Sequence, residues 1–108
     1  MPKQPVSLFG IRLRTARERA GLAQDRLGVA IGLDESCSSA RISRYETGVH
    51  QPPFPVAERL AEVLSVPPTY FYCSDSRVAE LLLTLFDLSD AELASLQKSI
   101  QRLRNKRK

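Results

Sequence analysis

Residues 11–48 have the sequence IRLRTARERAGLAQDRLGVAIGLDESCSSARISRYETG, and this stretch decides the fold. It contains short helical patterns separated by glycine-bearing breaks, and each pattern has an apolar side and a polar side. In the last of them, Arg41 and Arg44 point away from Ile42 and Tyr45. A small helix with one buried side and one exposed Ser/Arg side, held against a second helix, fits a DNA major groove.

The length and composition predict a small globular protein. A chain of 108 residues with 43% hydrophobic and 26% charged residues is expected to form one domain, with at most a short appendage. No apolar run approaches the roughly 18 residues that a membrane helix needs. Residues 1–5 precede no apolar segment, so we expect no signal peptide and a cytoplasmic protein. Cys37 and Cys73 are expected to be reduced thiols, and a single histidine, His50, predicts no metal site and no cofactor.

Positive charge is segregated along the chain. Residues 1–50 carry eight Lys/Arg against five Asp/Glu, whereas residues 51–101 carry three against seven. Residues 102–108 carry five cations and no acid. Two positive regions around an acidic middle predict a polyanionic partner, because a charge balance that only maintained solubility would not require this segregation.

Apolar residues recur at spacings of three and four, without strand-like alternation, so we predict an all-α fold of seven helices. The predicted helices are 7–19, 23–31, a third that begins between 34 and 39 and ends at 48, then 55–64, 69–73, 74–86 and 89–104. Glycines or paired prolines separate the first five. The predicted core includes one face of the first helix and both helices of the decisive stretch, namely Phe9, Leu13, Ala16, Ala20, Leu27, Ile31, Ile42 and Tyr45.

An ordered set of short motifs runs through residues 8–72. Its members are Arg14 and Arg17, GLAQ (21–24), LG (27–28), IG (31–32), ISRYETG (42–48), Pro53 and LAEVLSV (60–66). In this order and spacing they resemble the Cro/repressor-type (XRE-type, lambda-repressor-like) helix-turn-helix family of DNA-binding regulators. The resemblance implies a five-helix DNA-binding domain at residues 1–73, with its third helix in the major groove.

The resemblance also implies which side chains contact DNA. Gln24, at the start of the second helix, is expected to bind a phosphate oxygen. For Arg44 a bidentate contact to guanine, a phosphate contact and plain solvation all stay open. For Arg41 a base contact and a phosphate contact stay open. The full expected set is Arg14, Gln24, Ser38, Ser39, Ala40, Arg41, Ser43, Arg44 and Thr47, with Ser43 and Thr47 on phosphates. Arg17 and Glu46 are implied to form a structural ion pair that fixes the recognition helix.

The chain departs from the family pattern before the third helix. The segment from Gly32 to Ser43 is four residues longer, so either the turn is enlarged or the third helix has an extra N-terminal turn. The insertion leaves the facing of residues 38–40 open and brings the acidic residues Asp34 and Glu35 close to the expected groove. Ala23 stands where the family has a threonine cap, which is expected to cost about 1 kcal/mol.

Residues 74–108 lie outside the resemblance and form a second predicted segment with a basic tail. Their two helices carry more apolar residues than one narrow stripe needs, and the last helix has a 3-4-3 spacing typical of a coiled-coil seam. We expect a homodimer through Leu82, Leu85, Phe86, Leu93, Leu96, Ile100 and Leu103. The alternative is packing on the preceding helices. For the tail at 102–108, phosphate contact and a solvated terminus both stay open.

The sequence favours a sequence-specific regulator of double-stranded DNA, expected to be a dimeric repressor on a palindromic operator and to bind its own promoter. The alternative is an antitoxin or protein-interaction adaptor of the same fold, with DNA binding secondary. An enzyme is not expected, because no catalytic cluster, phosphate loop or paired carboxylate stands in a defined setting. Neither a membrane partner nor a small-molecule effector is expected.

Overall fold

The computed structural model describes residues 7–107, and every structural statement below refers to that part of the chain. It contains six α-helices, one 3-10 helix and no strand, which confirms the predicted all-α class. The elements are α1 (Leu8–Arg19), α2 (Gln24–Ala30), α3 (Glu35–Thr47), α4 (Phe54–Leu64), the 3-10 helix (Pro68–Tyr72), α5 (Ser76–Phe86) and α6 (Asp90–Lys106). The expectations for residues 1–6, and for Lys108 of the basic tail, lie outside the described residues.

Local caps explain where several helices begin. The Ser7 hydroxyl accepts a hydrogen bond from the amide of Gly10 at 2.9 Å and caps the start of α1. Asp75 accepts two amides at the start of α5. Ser89 and Glu92 form a capping box at the start of α6, in which the Glu92 amide donates to the Ser89 hydroxyl at 3.1 Å and the Ser89 amide donates to the Glu92 carboxylate at 2.9 Å.

One apolar core joins α1 to α5. Four residues predicted as core, Leu27, Ile31, Ile42 and Tyr45, are buried, and Leu60 of α4 and Phe71 of the 3-10 helix complete the centre of the core. The prediction for Ala20 is wrong, because α1 ends at Arg19 and Ala20 is its exposed C-cap. The core therefore follows the predicted helical spacing except at this helix end.

Arg12 ties α1 to the junction between the 3-10 helix and α5. Its Nε and Nη2 donate to the carbonyl of Cys73 at 3.0 and 2.8 Å, and Nη2 reaches the carbonyl of Ser74 at 3.4 Å. Its guanidinium lies 5.8 Å from the centroid of the Tyr70 ring. The sequence did not predict this role. The junction at which we expected the second segment to begin is therefore held by α1 through hydrogen bonds.

The last two helices differ in how they join the body. Ala79 of α5 is fully buried in the core, and Arg19 of α1 lies 2.9 Å from Glu80 in an exposed ion pair. In contrast, α6 has no buried residue, and the molecule extends 55 Å along its longest axis against 26 and 23 Å across. Among the described helices, none has both the length and the apolar character needed to cross a membrane.

Candidate nucleic-acid interface

The four-residue insertion lengthens α3 and does not enlarge the turn before it. Asp34 is the N-cap, and its carboxylate accepts the amide of Ser36 at 2.9 Å. Hydrogen bonds from the hydroxyl and amide of Ser36 hold the pKa of Asp34 below its usual value, so the cap stays ionised. From there α3 runs for 13 residues to Thr47, and Gly48 ends it in the left-handed conformation at φ 82°.

The helices α2 and α3 approach closely at Gly28 and Ser38. A Cβ added at Gly28 would stand 2.9 Å from both the Cα and the carbonyl oxygen of Ser38, so only glycine fits there. Ser38 is 0% exposed, and its hydroxyl donates to the carbonyl of Asp25 at 3.0 Å. The expectation that Ser38 contacts DNA is therefore wrong, because this side chain faces α2.

The exposed side of α3 retains most of the predicted contact residues. Ser39, Ala40, Arg41 and Arg44 are exposed, and Ser43 is half-buried. Within residues 7–107, the guanidinium groups of Arg41 and Arg44 make no hydrogen bond or ion pair. The surface therefore presents two free cations beside a small hydroxyl and a methyl group.

Thr47 does not belong to that surface. It is buried, and its hydroxyl donates to the carbonyl of Ser43 at 3.0 Å, one turn earlier in α3. The expectation of a phosphate contact at Thr47 is therefore wrong, because the hydroxyl is satisfied inside the helix.

A buried carboxylate anchors the C-terminal half of α3. Glu46 is 2% exposed, and Arg17 of α1 donates to both of its oxygens, from Nε at 2.6 Å and from Nη2 at 3.2 Å. The remaining terminal nitrogen of Arg17 donates to the carbonyl of Leu22 at 3.0 Å. Gly10 of α1 lies against the carbonyl of Glu46, where a Cβ would collide. Together these contacts fix α3 against α1.

Two further predicted contact residues converge on the same carboxylate. The Gln24 side-chain amide donates to Glu46 at 3.2 Å, and its oxygen accepts the hydroxyl of Ser39 at 3.4 Å. Arg14 Nε lies 3.5 Å from Glu46, close enough for an ion pair but without hydrogen-bond geometry. The structure thus brings together Arg14, Arg17, Gln24, Ser39 and Glu46 at the meeting point of α1, α2 and α3.

The charge around this meeting point is not uniform. Arg14 and Arg17 outnumber Glu46, and Arg41 and Arg44 extend the positive surface along α3. At the other end of α3, a groove between α2 and α3 is lined by Asp25, Arg26, Val29 and Glu35. The positive potential therefore covers the middle and C-terminal part of α3, while its first turn is acidic.

The residues predicted for dimerisation lie away from α3, on α5 and α6. Leu82, Leu85, Phe86 and Leu93 line one apolar groove between these helices, together with Pro67, Thr69 and Leu88. We call this the α5–α6 groove. Leu96 is half-buried, and Ile100 and Leu103 are exposed further along α6. All seven predicted residues thus lie on one continuous apolar surface or at its end.

The comparisons with known proteins agree with this geometry. A family model for the helix-turn-helix domain matches residues 8–69, which include α1 to α4 and the turn between α2 and α3. The structure is similar to the crystal structure of the transcriptional regulator BswR, with a TM-score of 0.82 and 41% sequence identity over 86% of this chain and 92% of that chain. A comparison with curated proteins found no match. The chain therefore belongs to the helix-turn-helix family of DNA-binding transcriptional regulators.

Proposed function

We propose that this protein is a homodimeric repressor that occupies a palindromic double-stranded DNA operator and places α3 in the major groove. Binding of regulatory DNA follows from membership of the family. Repression, the dimer and the operator symmetry are our proposal. Occupancy of the operator would itself exclude the transcription machinery, so the mechanism needs neither a cofactor nor an effector. The promoter of the protein's own gene is the first operator to test.

One observation supports the groove assignment more than any other. The side of α3 that carries Ile42, Tyr45 and Glu46 is buried, while Arg41 and Arg44 on the opposite side are exposed and unpaired within the described chain. A rigid helix with free arginines can place a guanidinium against O6 and N7 of guanine, because the fixed backbone sets the reach of each side chain. We assign base contacts to Arg44 and Arg41, with Ser39 and Ala40 beside them.

The remaining contacts are assigned to the DNA backbone. Gln24 uses one amide hydrogen for Glu46, and the second is free to meet a phosphate oxygen. Arg14 holds its Nε near Glu46, and its terminal nitrogens make no hydrogen bond within residues 7–107. These two side chains, with the half-buried Ser43, would set the register of α3 on the duplex without specifying a base.

The groove assignment is tested with an operator selected from random DNA. We expect Arg44→Ala to lose about 1–3 kcal/mol of binding free energy and to relax the preference at one base position. Arg77→Ala is the matched control, because it removes the same charge from a side chain that is 91% exposed on α5. An Arg44→Ala variant with parental affinity and parental base preference would overturn the assignment.

Gln24→Ala separates positioning from base recognition. We expect it to weaken binding to the operator and to random DNA by the same factor, because a phosphate contact is independent of sequence. Thermal melting of the variant must accompany the binding measurement, since Gln24 also supports Glu46. A loss confined to the operator would instead place Gln24 on a base edge.

The α5–α6 groove supports the dimer. It is lined almost entirely by apolar side chains, and Phe86 at its edge is 53% exposed. An apolar surface of this kind on a small regulator marks a protein interface. A single recognition helix makes few base contacts and so gives little sequence specificity. A two-fold dimer would place two recognition helices about 34 Å apart, which is one turn of DNA, or a multiple of that distance, and would double the number of base contacts. We accordingly assign residues 1–73 to DNA binding and 74–108 to dimerisation.

The alternative of an antitoxin or adaptor uses the same groove for a different protein. Sedimentation equilibrium of the full chain tests the proposal, because a groove that takes a second copy requires a homodimer at tens of micromolar. A monomer under those conditions would remove the dimer and favour the adaptor.

A further inference from the structure

We propose that two copies of α6 pack antiparallel about a two-fold axis beside Lys98, and that Leu103 of each copy fills the α5–α6 groove of the other. The inference rests on the proposed homodimer and adds its orientation and register. It follows from three features of α6 and its surroundings: the spacing of its apolar residues, the distribution of its charges and the position of the α5–α6 groove.

The apolar residues of α6 form a seam that the single chain leaves uncovered. Leu93, Leu96, Ile100 and Leu103 follow one another at intervals of three, four and three, which places them on one side of the helix. Leu93 is 39% exposed, Ile100 46% and Leu103 64%, whereas Leu96 is half-buried, so the two residues nearest the C-terminus are the most exposed of the seam. A second copy is a suitable cover, because the seam has the spacing of a coiled-coil interface.

The seam is symmetric about position 98. In an antiparallel pair whose axis passes beside Lys98, residues equally distant from that position lie at the same height. Leu93 then meets Leu103 of the other copy, and Leu96 meets Ile100 of the other copy. Every apolar residue of the seam gains an apolar neighbour, and none is left beyond the end of its partner helix.

The charges of α6 select this orientation. The acids Asp90 and Glu92 lie in the first turn, and the bases Arg104 and Lys106 lie in the last turn. In the antiparallel register, Asp90 flanks the seam on the same side as Arg104 of the other copy, and Glu92 on the same side as Lys106. Each pair is offset by two residues, or about 3 Å along the helices, which a long basic side chain spans. A parallel pair would instead place like charges together at both ends.

The residues at the centre of α6 are compatible with a two-fold axis beside Lys98. The residues that flank the seam beside the axis are Gln97 and Ser99, and each would lie near its own copy across the two-fold. Neither side chain carries a charge, so the self-contact that symmetry imposes is not repulsive. Lys98 itself is exposed and points away from the seam.

The α5–α6 groove lies where this register brings Leu103 of the other copy. Leu93 belongs both to the seam and to the lining of the groove, which it shares with Leu82, Leu85 and Phe86. The residue that meets Leu93 therefore enters the groove. Leu103 is the most exposed large apolar residue of α6, and the groove offers it a lining that is mostly apolar.

Charge reversal tests the orientation in the full-length protein. Arg104→Glu brings acids together at both ends of an antiparallel pair, and we expect it to weaken dimerisation about ten-fold. The double variant Asp90→Lys/Arg104→Glu exchanges the two ends and should restore the parental dissociation constant. Lys98→Glu, which makes the same change of charge at an exposed residue that points away from the seam, is the control and should leave dimerisation within about two-fold.

Site-directed cross-linking tests the register in a background that carries Cys37→Ser and Cys73→Ser. With a short bis-maleimide, Ser99→Cys should cross-link to its own copy. Leu103→Cys should not, because its copies would be separated by about 15 Å along the helices. A mixture of Leu93→Cys and Leu103→Cys chains should give the mixed dimer.

The outcomes separate this inference from the proposed dimer. A full-length protein that stays monomeric in sedimentation equilibrium removes both. A dimer in which Leu103→Cys cross-links to itself, with no rescue by the double charge exchange, keeps the proposed dimer and overturns the antiparallel seam. A dimer that shows none of these cross-links places the interface on another surface and overturns the inference as well.

Discussion

The two helices to which we assign DNA binding and dimerisation, α3 and α6, are built in opposite ways. The 13-residue α3 buries five side chains, one of them the carboxylate of Glu46, whereas the 17-residue α6 buries none. Buried packing and hydrogen bonds to α1 and α2 hold α3 before any ligand arrives, while α6 presents an unoccupied apolar seam. A helix that must meet base edges at a fixed angle needs support from its own chain. A helix that associates with a second copy can leave its apolar side exposed until association.

The largest expected effect is the loss of the carboxylate that anchors α3. Glu46→Ala removes the anion between Arg14 and Arg17, and we expect the free energy of unfolding to fall by about 3–5 kcal/mol, because two nearly buried cations lose their partner. Denaturant unfolding measures the change. Glu62→Ala, at an exposed position of α4, is the matched control and should change little. An equal, small effect at both positions would show that Glu46 does not anchor α3.

The next effect concerns the close approach of α2 and α3. Gly28→Ala introduces a Cβ against the backbone of Ser38, and we expect a loss of about 1–3 kcal/mol, because the helices must separate to admit it. Ala30→Leu adds more atoms to an exposed position of the same helix and serves as the control. Alanine in place of glycine stabilises an ordinary helix. If Gly28→Ala were stabilising here too, α2 and α3 would be farther apart at this point than the structure shows.

The sequence predicts the helices and the core well, because both follow from apolar spacing. Leu27 and Ile42 are buried as expected, and the Ser89–Glu92 capping box forms where its pattern stands. Arg12 shows the limit of this reasoning. It follows the same helical pattern as Arg14 and Arg17, and only the fold of a distant segment brings the carbonyl of Cys73 within its reach.

The DNA-contact surface of α3 is harder to predict, because the four-residue insertion leaves the start of that helix undetermined in the sequence. A start left open between residues 34 and 39 leaves it open whether Ser38 belongs to the helix, and therefore which way its side chain faces. Its burial against Gly28 depends on the interhelical distance, which no local pattern encodes. The predicted phosphate contact of Thr47 is wrong for another reason, because its hydroxyl donates to a carbonyl of its own helix.

A much smaller effect on the unfolding free energy of the monomer is expected when a residue of the α6 seam is made polar. Ile100→Glu should change the unfolding free energy of the monomer by about 0.5 kcal/mol or less, because Ile100 is 46% exposed and lies on a helix with no buried residue. Leu60→Ala in the core should cost about 2–5 kcal/mol in the same measurement at low protein concentration. A large loss from Ile100→Glu in the monomer would mean that α6 packs on its own chain.

The smallest effect is a pH dependence at the start of α6. Hydrogen bonds from the amide and hydroxyl of Ser89 lower the pKa of Glu92, so the ionised carboxylate favours the capped helix. A carboxyl whose pKa is lower in the folded state contributes its stability above its ordinary pKa and loses it as the pH falls through the lowered value. We therefore expect the first turn of α6 to fray as the pH falls below the ordinary pKa of a glutamate, seen as a lower amide protection factor at Leu93, whose amide donates to the carbonyl of Ser89. Glu92→Gln keeps a side-chain acceptor for the Ser89 amide but cannot titrate in this range, so the step should disappear in that variant. A step of equal size in Glu92→Gln would show that the capping box is not its source.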